Sequence, residues 1–81
     1  MDNNLNAIIK EIENKQKDFV VDSIYKKGDS LFISLIPSKK DFSTNDFVLK
    51  YDSKTGETEG CLLFEEFDSA EEILKSQIYK R

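Results

Sequence analysis

Apolar residues near the start of the chain recur with the period of an α-helix. Leu5, Ile8, Ile9 and Ile12 are spaced i, i+3, i+4 and i+7, so they form one stripe on a helical surface. Two asparagines precede the stripe, and asparagine is a favoured N-cap residue. The pattern predicts an N-terminal helix with one apolar face. This helix needs a packing partner, because an isolated helix of this length is only marginally stable.

The apolar period then changes to two, as expected for β-strands. Four stretches are rich in β-branched and aromatic residues: FVVDSIY (19–25), SLFISLIP (30–37), DFVLKYD (46–52) and TEGCLLFEEF (58–67). KKGD joins the first two and indicates a hairpin, while Pro37 ends the second strand because it cannot donate to a ladder. The polar stretch SKKDFSTN predicts a loop before the second hairpin.

The C-terminal segment begins with helix-capping residues. Ser69 and Glu72 have the spacing of a capping box, and Asp68 with Glu71 fits equally well. A helical apolar stripe follows the cap: Ala70, Ile73, Leu74 and Ile78. The sequence therefore predicts one small α+β domain over residues 1–81, in the order α-β-β-β-β-α. Its single four-stranded, mainly antiparallel sheet consists of two hairpins and is flanked by a helix at each end.

The stretch YDSKTGETEG invites comparison with a calcium-binding loop, but its spacing predicts a turn. Counted from Asp52, position 3 is Lys54, position 5 is Gly56 and position 6 is Glu57, whereas an EF-hand loop needs oxygen ligands at 3 and 5 and glycine at 6. In a turn, the Asp52 side chain accepts hydrogen bonds from amides ahead of it, and Gly56 takes a positive φ without steric cost. We therefore expect no metal here.

Pairing Asp52 with Glu57 sets the register of the second hairpin. The partners expected beyond that pair are Tyr51–Thr58, Lys50–Glu59, Leu49–Gly60, Val48–Cys61 and Phe47–Leu62. The stretch also resembles the Asp-x-x-Thr-Gly-Glu hairpins of PepSY-type domains. That resemblance is confined to this hairpin and assigns the chain to no family.

Neither face of the predicted sheet is cleanly polar, although a sheet with one wet face should alternate apolar and polar residues. A three-residue loop in the first hairpin places Tyr25 with Val21 on the more apolar face. The lesser face then carries Val20, Ile24, Phe32, Ile36, Val48, Cys61 and Leu63. Three arrangements would cover these side chains. The helices lie on opposite faces, or the sheet curls around its own core, or both helices share one face and the other mediates self-association. The candidate self-association residues are Val20, Ile24, Phe32, Ile36, Val48 and Leu63.

Charge is distributed unevenly along the chain, whose net charge is -4. Residues 1–40 contain seven lysines and six acids, whereas residues 41–81 contain five basic and ten acidic residues. The acidic half disfavours nucleic acid and anionic membranes as partners and favours a basic protein, although an acidic surface also serves solubility alone. The candidate partner-binding residues are Glu57, Glu59, Glu65, Glu66, Asp68, Glu71 and Glu72.

The inventory of reactive side chains is short. The chain has no histidine and one cysteine, Cys61, which we expect to act as a small buried hydrophobe. Glu65 and Glu66 are adjacent in a predicted strand and so point to opposite faces, while Glu71 and Glu72, adjacent on a helix, do not face each other. We therefore expect no catalytic site, no cofactor and no enzymatic activity.

Location and function follow as expectations from these features. No apolar run approaches the roughly 20 residues that span a bilayer, and the N-terminus lacks the positive charge of a signal peptide, so we expect a cytoplasmic protein. In size and charge the chain resembles small bacterial or phage proteins that neutralise a toxin or a host enzyme. The leading hypothesis is a protein-binding inhibitor of the immunity or antidefence type. The alternative is a homodimeric structural or accessory module joined through one sheet face.

Overall fold

A computed structural model of the chain describes residues 3–39 and 45–81, with the backbone alone for the first two of these. Most of the polar loop predicted between the hairpins therefore lies outside the described residues. The elements in chain order are α1 (Asn3–Lys15), β1 (Phe19–Lys27), β2 (Ser30–Pro37), β3 (Phe47–Asp52), β4 (Thr58–Cys61), α2 (Leu63–Glu66), α3 (Ala70–Ser76) and β5 (Gln77–Lys80).

The strands form one sheet in the order β4-β3-β2-β1-β5, and all neighbours are antiparallel. This confirms the predicted α+β class with a single antiparallel sheet. The number of strands is corrected from four to five. The predicted C-terminal helix ends at Ser76, and Gln77–Lys80 pairs with β1. Ile78 thus belongs to a strand, because the open edge of β1 offers backbone partners that local helical periodicity cannot reveal.

The fourth strand is shorter than the sequence predicts. It ends at Cys61, and the helical turn α2 follows at once, where a strand to residue 67 was expected. Leu63, Glu66 and Phe67 are spaced i, i+3 and i+4, so one turn of helix directs them to the same side. Leu63 packs against the buried Phe67, which lies against the sheet. In this stretch the residues that face the sheet are therefore spaced as in a helix and do not alternate as in a strand.

The β3–β4 hairpin confirms the predicted turn chemistry. The Lys54 amide donates to the Asp52 side chain at 2.8 Å, and Gly56 has φ of 77°. Four of the predicted cross-strand pairs, from Tyr51–Thr58 to Val48–Cys61, are present. The fifth, Phe47–Leu62, is absent because β4 ends one residue earlier.

The first hairpin contains a β-bulge that the sequence analysis missed. Its turn has two residues, Gly28 and Asp29, where the sequence analysis expected a three-residue loop, and φ is positive at Gly28 alone, as in a type II′ turn. Near the turn Ile24 pairs with Ile33, whereas beyond Asp22 Val21 pairs with Leu35, so two residues of β1 oppose one of β2.

The bulge corrects the predicted faces of β1. Ile24 lies on the same face as Val21, and Tyr25 lies on the opposite face, next to Phe32. The predicted register therefore holds on one side of Asp22 and fails on the other. The reason is that one extra residue exchanges the faces of every residue that follows it.

The helix α1 covers one face of the sheet, which we call the α1 face. Leu5 and Ile12 are buried there, and Ile8 and Ile9 are partly buried against the same core, so the predicted apolar stripe is confirmed. The sheet contributes six further buried residues and a tyrosine: Val21, Ile24, Leu31, Ile33, Leu35, Leu49 and Tyr51. A Glu13 carboxylate oxygen accepts a hydrogen bond from the Val21 amide at 2.9 Å, which ties α1 to β1 beside the bulge.

The segment containing α2 and α3 covers the opposite face, which we call the α3 face. Phe67 and Ile73 bury Phe32 in a second, smaller core. The rings of Phe32 and Phe67 meet edge to face, with centroids 5.2 Å apart. Of the three arrangements left open by the sequence, the structure shows the one with helices on opposite faces of the sheet.

Candidate functional site

Three of the seven acidic residues singled out from the sequence form ion pairs. Glu66 lies 3.4 Å from Lys50, and Glu72 lies 3.8 Å from Lys27, so both pairs join the α2–α3 segment to the sheet. Lys27 also donates to the backbone carbonyl of Glu66. Glu71 pairs with a lysine one turn later in α3, at 3.2 Å. The first two pairs tie the segment to the sheet, whereas the third lies within α3, and each such pair contributes modestly to stability.

Glu72 also takes part in capping α3. Ser69 is the N-cap, and its hydroxyl accepts a hydrogen bond from the Glu72 amide at 3.1 Å, as predicted. The Glu72 carboxylate accepts from the Asp68 amide at 3.2 Å. In a standard capping box that donor is the N-cap residue's own amide. The box is therefore shifted by one residue, and Glu72 has a structural explanation independent of binding.

The other four acids point into solvent. Glu57, Glu59, Glu65 and Asp68 are exposed, and none has a basic side chain within 4.0 Å among the residues that the structure describes. Glu57 immediately precedes the edge strand β4, Glu59 is the second residue of that strand, and Glu65 lies on α2. Because their charge is not neutralised internally, these carboxylates are available to a basic partner.

Two large apolar side chains lie in the same stretch and face solvent. Leu62 is 63% exposed and Phe64 is 78% exposed. The cause is the single turn of α2, which directs Leu63, Glu66 and Phe67 towards the sheet and leaves Phe64 and Glu65 outside. Sequence reasoning missed both residues because it treated 58–67 as a strand. The helical spacing of residues 63, 66 and 67 is the signal that would have revealed them.

We call the outer side of β4 and α2 the β4 edge surface. It consists of Glu57, Glu59, Leu62, Phe64 and Glu65. Two exposed apolar groups among unpaired carboxylates resemble the composition of a protein-binding site, in which an aromatic anchor is surrounded by a charged rim. The local charge complements a partner that carries lysine or arginine.

A shallow open depression of about 260 Å³ lies beside this surface. It is lined by Ser30, Lys50, Asp52, Glu57, Thr58 and Glu59. Lys50 is the one basic group of the lining, and its ammonium already pairs with Glu66. The depression therefore presents mainly hydroxyl and carboxylate oxygens, which suits a cationic side chain of a partner better than an anionic substrate.

The candidate self-association residues do not form one exposed surface. Ile24 has no exposed area and belongs to the core under α1, and Phe32 is buried beneath Phe67. Val48 and Leu63 are half-buried against that second core. The remaining two, Val20 and Ile36, are cross-strand partners and are half-buried. On the α3 face, the partly exposed candidates are therefore divided between Val48 and Leu63 beside the second core and Val20 and Ile36 at the end of β1 and β2.

Cys61 is half-buried at the end of β4 and packs against the Phe32–Phe67 core. Burial raises the pKa of its thiol, and the nearby carboxylate of Glu66 raises that pKa further, while Lys50 acts in the opposite direction. A thiol becomes nucleophilic only as thiolate, so Cys61 is poorly reactive near neutral pH. This accords with its expected role as a buried hydrophobe.

Alkylation of Cys61 should therefore require higher pH than that of a free thiol. We expect the iodoacetamide rate to rise with a midpoint above about 8.5, the ordinary cysteine value. Glu66→Gln should bring the midpoint down, because it removes a negative charge and frees Lys50 to stabilise the thiolate. Comparison of midpoints, rather than absolute rates, removes the effect of partial burial on the accessibility of the thiol to the reagent. A midpoint at or below that of free cysteine would contradict this assignment.

Comparison with known proteins assigns no relative. A scan against protein-family models, a search of curated proteins and a search of solved structures each find no match to this chain. Within residues 3–39 and 45–81, no helix is long and apolar enough to cross a membrane. Function must therefore be argued from the surface itself.

Proposed function

We propose that this chain is a non-enzymatic protein that binds a basic partner protein through the β4 edge surface. An inhibitory role of the immunity or antidefence type is part of this proposal, as is the cytoplasmic location expected from the sequence. The observation that carries it is the exposure of Leu62 and Phe64 beside the unpaired carboxylates of Glu59 and Glu65.

The apolar part of the surface supports specific binding. The exposed surface of a phenylalanine and a leucine is unfavourable in water. A partner pocket that buries this apolar surface gains free energy in proportion to the area removed from water. Large aromatic side chains commonly contribute 2 kcal/mol or more as interface hot spots. Phe64 is the most exposed large apolar side chain among the described residues, and its place in a one-turn helix between two anchored residues limits the conformational entropy that binding would remove.

The charged part of the surface supports the choice of a basic partner. The seven candidate acids fall into two groups: three form ion pairs, and the other four have no basic side chain within 4.0 Å among the described residues, so their charge is available to a partner. Opposite charge on a partner raises the association rate and excludes acidic competitors. Binding should consequently weaken as salt is added, because a Debye length of about 8 Å at physiological ionic strength screens exposed charges.

Partner capture with a matched pair of variants tests this function. Tagged wild-type protein, Phe64→Ala and Leu74→Ala would each be used to capture proteins from the organism that encodes the chain, with quantification by mass spectrometry. Leu74 is the control because it is 71% exposed but lies on α3. We expect a basic partner whose recovery falls at least about tenfold with Phe64→Ala, as one hot-spot residue predicts, and is unchanged with Leu74→Ala.

The charges are tested separately with the double variant Glu59→Lys/Glu65→Lys. Its association rate with the captured partner should fall, and the salt dependence should weaken or reverse. If neither Phe64→Ala nor the charge reversal changes the binding of the captured partner, the β4 edge surface is not the contact.

The homodimeric alternative has less support, since Ile24 and Phe32 are buried within one protomer. Static light scattering distinguishes the two functions. A stable dimer that is disrupted by Val20→Lys or Ile36→Lys would favour self-association through the α3 face.

A further inference from the structure

The strand β4 has a free outer edge. It is the first strand in the order β4-β3-β2-β1-β5, and no strand of the described residues pairs with its other side. Thr58, Glu59 and Gly60 are all exposed. A free edge presents unpaired backbone donors and acceptors, which a further strand can satisfy.

The hydrogen-bonding phase of the hairpin shows which groups face outward. The Asp52 amide donates to the Glu57 carbonyl at 2.9 Å, so this pair is hydrogen-bonded. In an antiparallel ladder, hydrogen-bonded and non-hydrogen-bonded pairs alternate. The pairs containing Thr58 and Gly60 are therefore of the second kind. The amides and carbonyls of Thr58 and Gly60 point away from β3, towards the free edge.

The two edges of the sheet differ in their protection against pairing. The outer strand β5 carries a lysine, Lys80, whose ammonium pairs with Asp22 at 2.9 Å, and its register with β1 shifts between Ile24 and Tyr25, so an irregularity and a lysine lie at that edge. Both features are known to discourage strand addition. The edge strand β4 has no proline or lysine, and its register with β3 is regular. Of the two edges, β4 is the one suited to accept a strand.

A strand added beside β4 would have two kinds of position, because the two faces of β4 carry different side chains. Glu59 lies opposite Lys50 in the β3–β4 register and points to the α3 face, and Glu57 lies two residues away on the same side. On the α1 face, Gly60 has no side chain, and a Cβ placed there would meet nothing within 4 Å. A neighbouring strand therefore meets carboxylates on one side and open space beside Gly60 on the other.

These observations identify the occupant. A second copy of the chain pairing through β4 would bring Glu57 and Glu59 against the same acids of its partner, and like charges across a strand pair are destabilising. A basic segment has the opposite sign at those positions. We infer that β4 accepts an extended segment of a partner protein as a sixth strand, with lysine or arginine alternating with apolar residues. This inference rests on the proposed function and defines how the partner would bind.

A synthetic peptide of eight residues that alternates lysine and valine tests the inference. In a titration followed by amide NMR, we expect the Thr58 and Gly60 amide protons to shift downfield and to gain protection from exchange. A peptide alternating glutamate and valine is the charge control and should not bind. If the lysine–valine peptide fails to perturb these two amides, or perturbs mainly β5, the inference is overturned.

Two variants at one position isolate the backbone contribution. Gly60→Pro removes the outward-pointing amide but leaves the β3 side of the ladder intact, whereas Gly60→Ala keeps the amide. The added Cβ has free space in both. We expect Gly60→Pro to weaken the peptide by about tenfold or more and Gly60→Ala by less than about twofold, because only proline removes a hydrogen bond and obstructs the edge. Equal effects of the two variants would overturn strand addition.

A modified peptide tests the same hydrogen bonds without altering the protein, so its result does not depend on whether the Gly60→Pro variant folds. Methylating alternate backbone nitrogens of the lysine–valine peptide removes the donors on one of its edges and leaves the protein unchanged. One of the two methylation patterns should abolish binding, and the other should preserve it. A captured partner that depends on Phe64 but is unaffected by Gly60→Pro would overturn strand addition while leaving the proposed function in place. If the peptide binds at β4 but no captured partner depends on Phe64, strand addition would stand and the proposed function would be overturned.

Discussion

Replacing Phe67 with alanine is expected to lower the free energy of unfolding by about 3–5 kcal/mol. The ring is 3% exposed, and it packs edge to face on Phe32 within a core of only three buried residues. The Lys27 ammonium also lies 5.2 Å from the ring centroid. Truncation leaves a cavity that so small a core has few side chains to refill. It also removes the main contact that holds the α2–α3 segment on the sheet.

The effect is large for a chain of this size. At about 0.05–0.15 kcal/mol per residue, the whole domain has roughly 4–12 kcal/mol of stability. Thermal unfolding followed by circular dichroism should show a fall in Tm of about 12 °C or more. Phe64→Ala is the matched control, since it removes the same side chain three residues earlier, where the ring is 78% exposed. It should change stability by less than about 0.5 kcal/mol. Similar losses for the two variants would contradict the described packing of α2.

Replacing Ile24 with alanine should cost about 2–5 kcal/mol, although the sequence pattern alone had assigned this residue to a surface that mediates self-association. Its side chain has no exposed area and lies in the core between α1 and the sheet. Removing three methyl or methylene groups there combines lost transfer free energy with a cavity.

Ile36→Ala is the control because the sequence pattern had assigned Ile36 to the same face. Ile36 is half-buried and lies beyond the bulge, paired with Val20, so its truncation should cost only about 1 kcal/mol. Urea denaturation measures the loss of unfolding free energy in each variant, provided that the dependence of this free energy on urea concentration is unchanged. If Ile24→Ala were no more destabilising than Ile36→Ala, this result would contradict the bulge at Asp22 and the placement of Ile24 on the α1 face.

The features predicted correctly are those encoded by neighbouring residues. The α1 stripe, the Asp52–Gly56 turn and the Ser69 cap each depend on side chains within a few positions of one another. The β3–β4 register followed from that turn, because a hairpin turn sets which residues face each other. The candidate acids were likewise identified from local composition, but composition does not distinguish paired from free carboxylates.

The features that the sequence pattern did not reveal depend on residues far apart in the chain. Glu66 and Glu72 are occupied by Lys50 and Lys27 of other elements, which no local pattern indicates. Phe64 became a candidate only when α2 replaced the expected end of β4. The helical turn places Phe67 against Phe32 of the sheet, a contact between distant elements that the local pattern of residues 58–67 does not indicate.

The amino-acid sequence by itself determined that this chain builds helices at Leu5–Ile12 and after Ser69, two hairpins between them, and an acidic second half. Periodicity, caps and turns carry that information over short distances. Only the tertiary structure decided that the helices take opposite faces, that a bulge at Asp22 turns Ile24 into the core, and that Gln77–Lys80 pairs with β1 as one outer strand of the sheet while β4 is the other. Each of these outcomes is a competition among distant partners for burial and backbone hydrogen bonds, so it is settled only when the whole chain is packed.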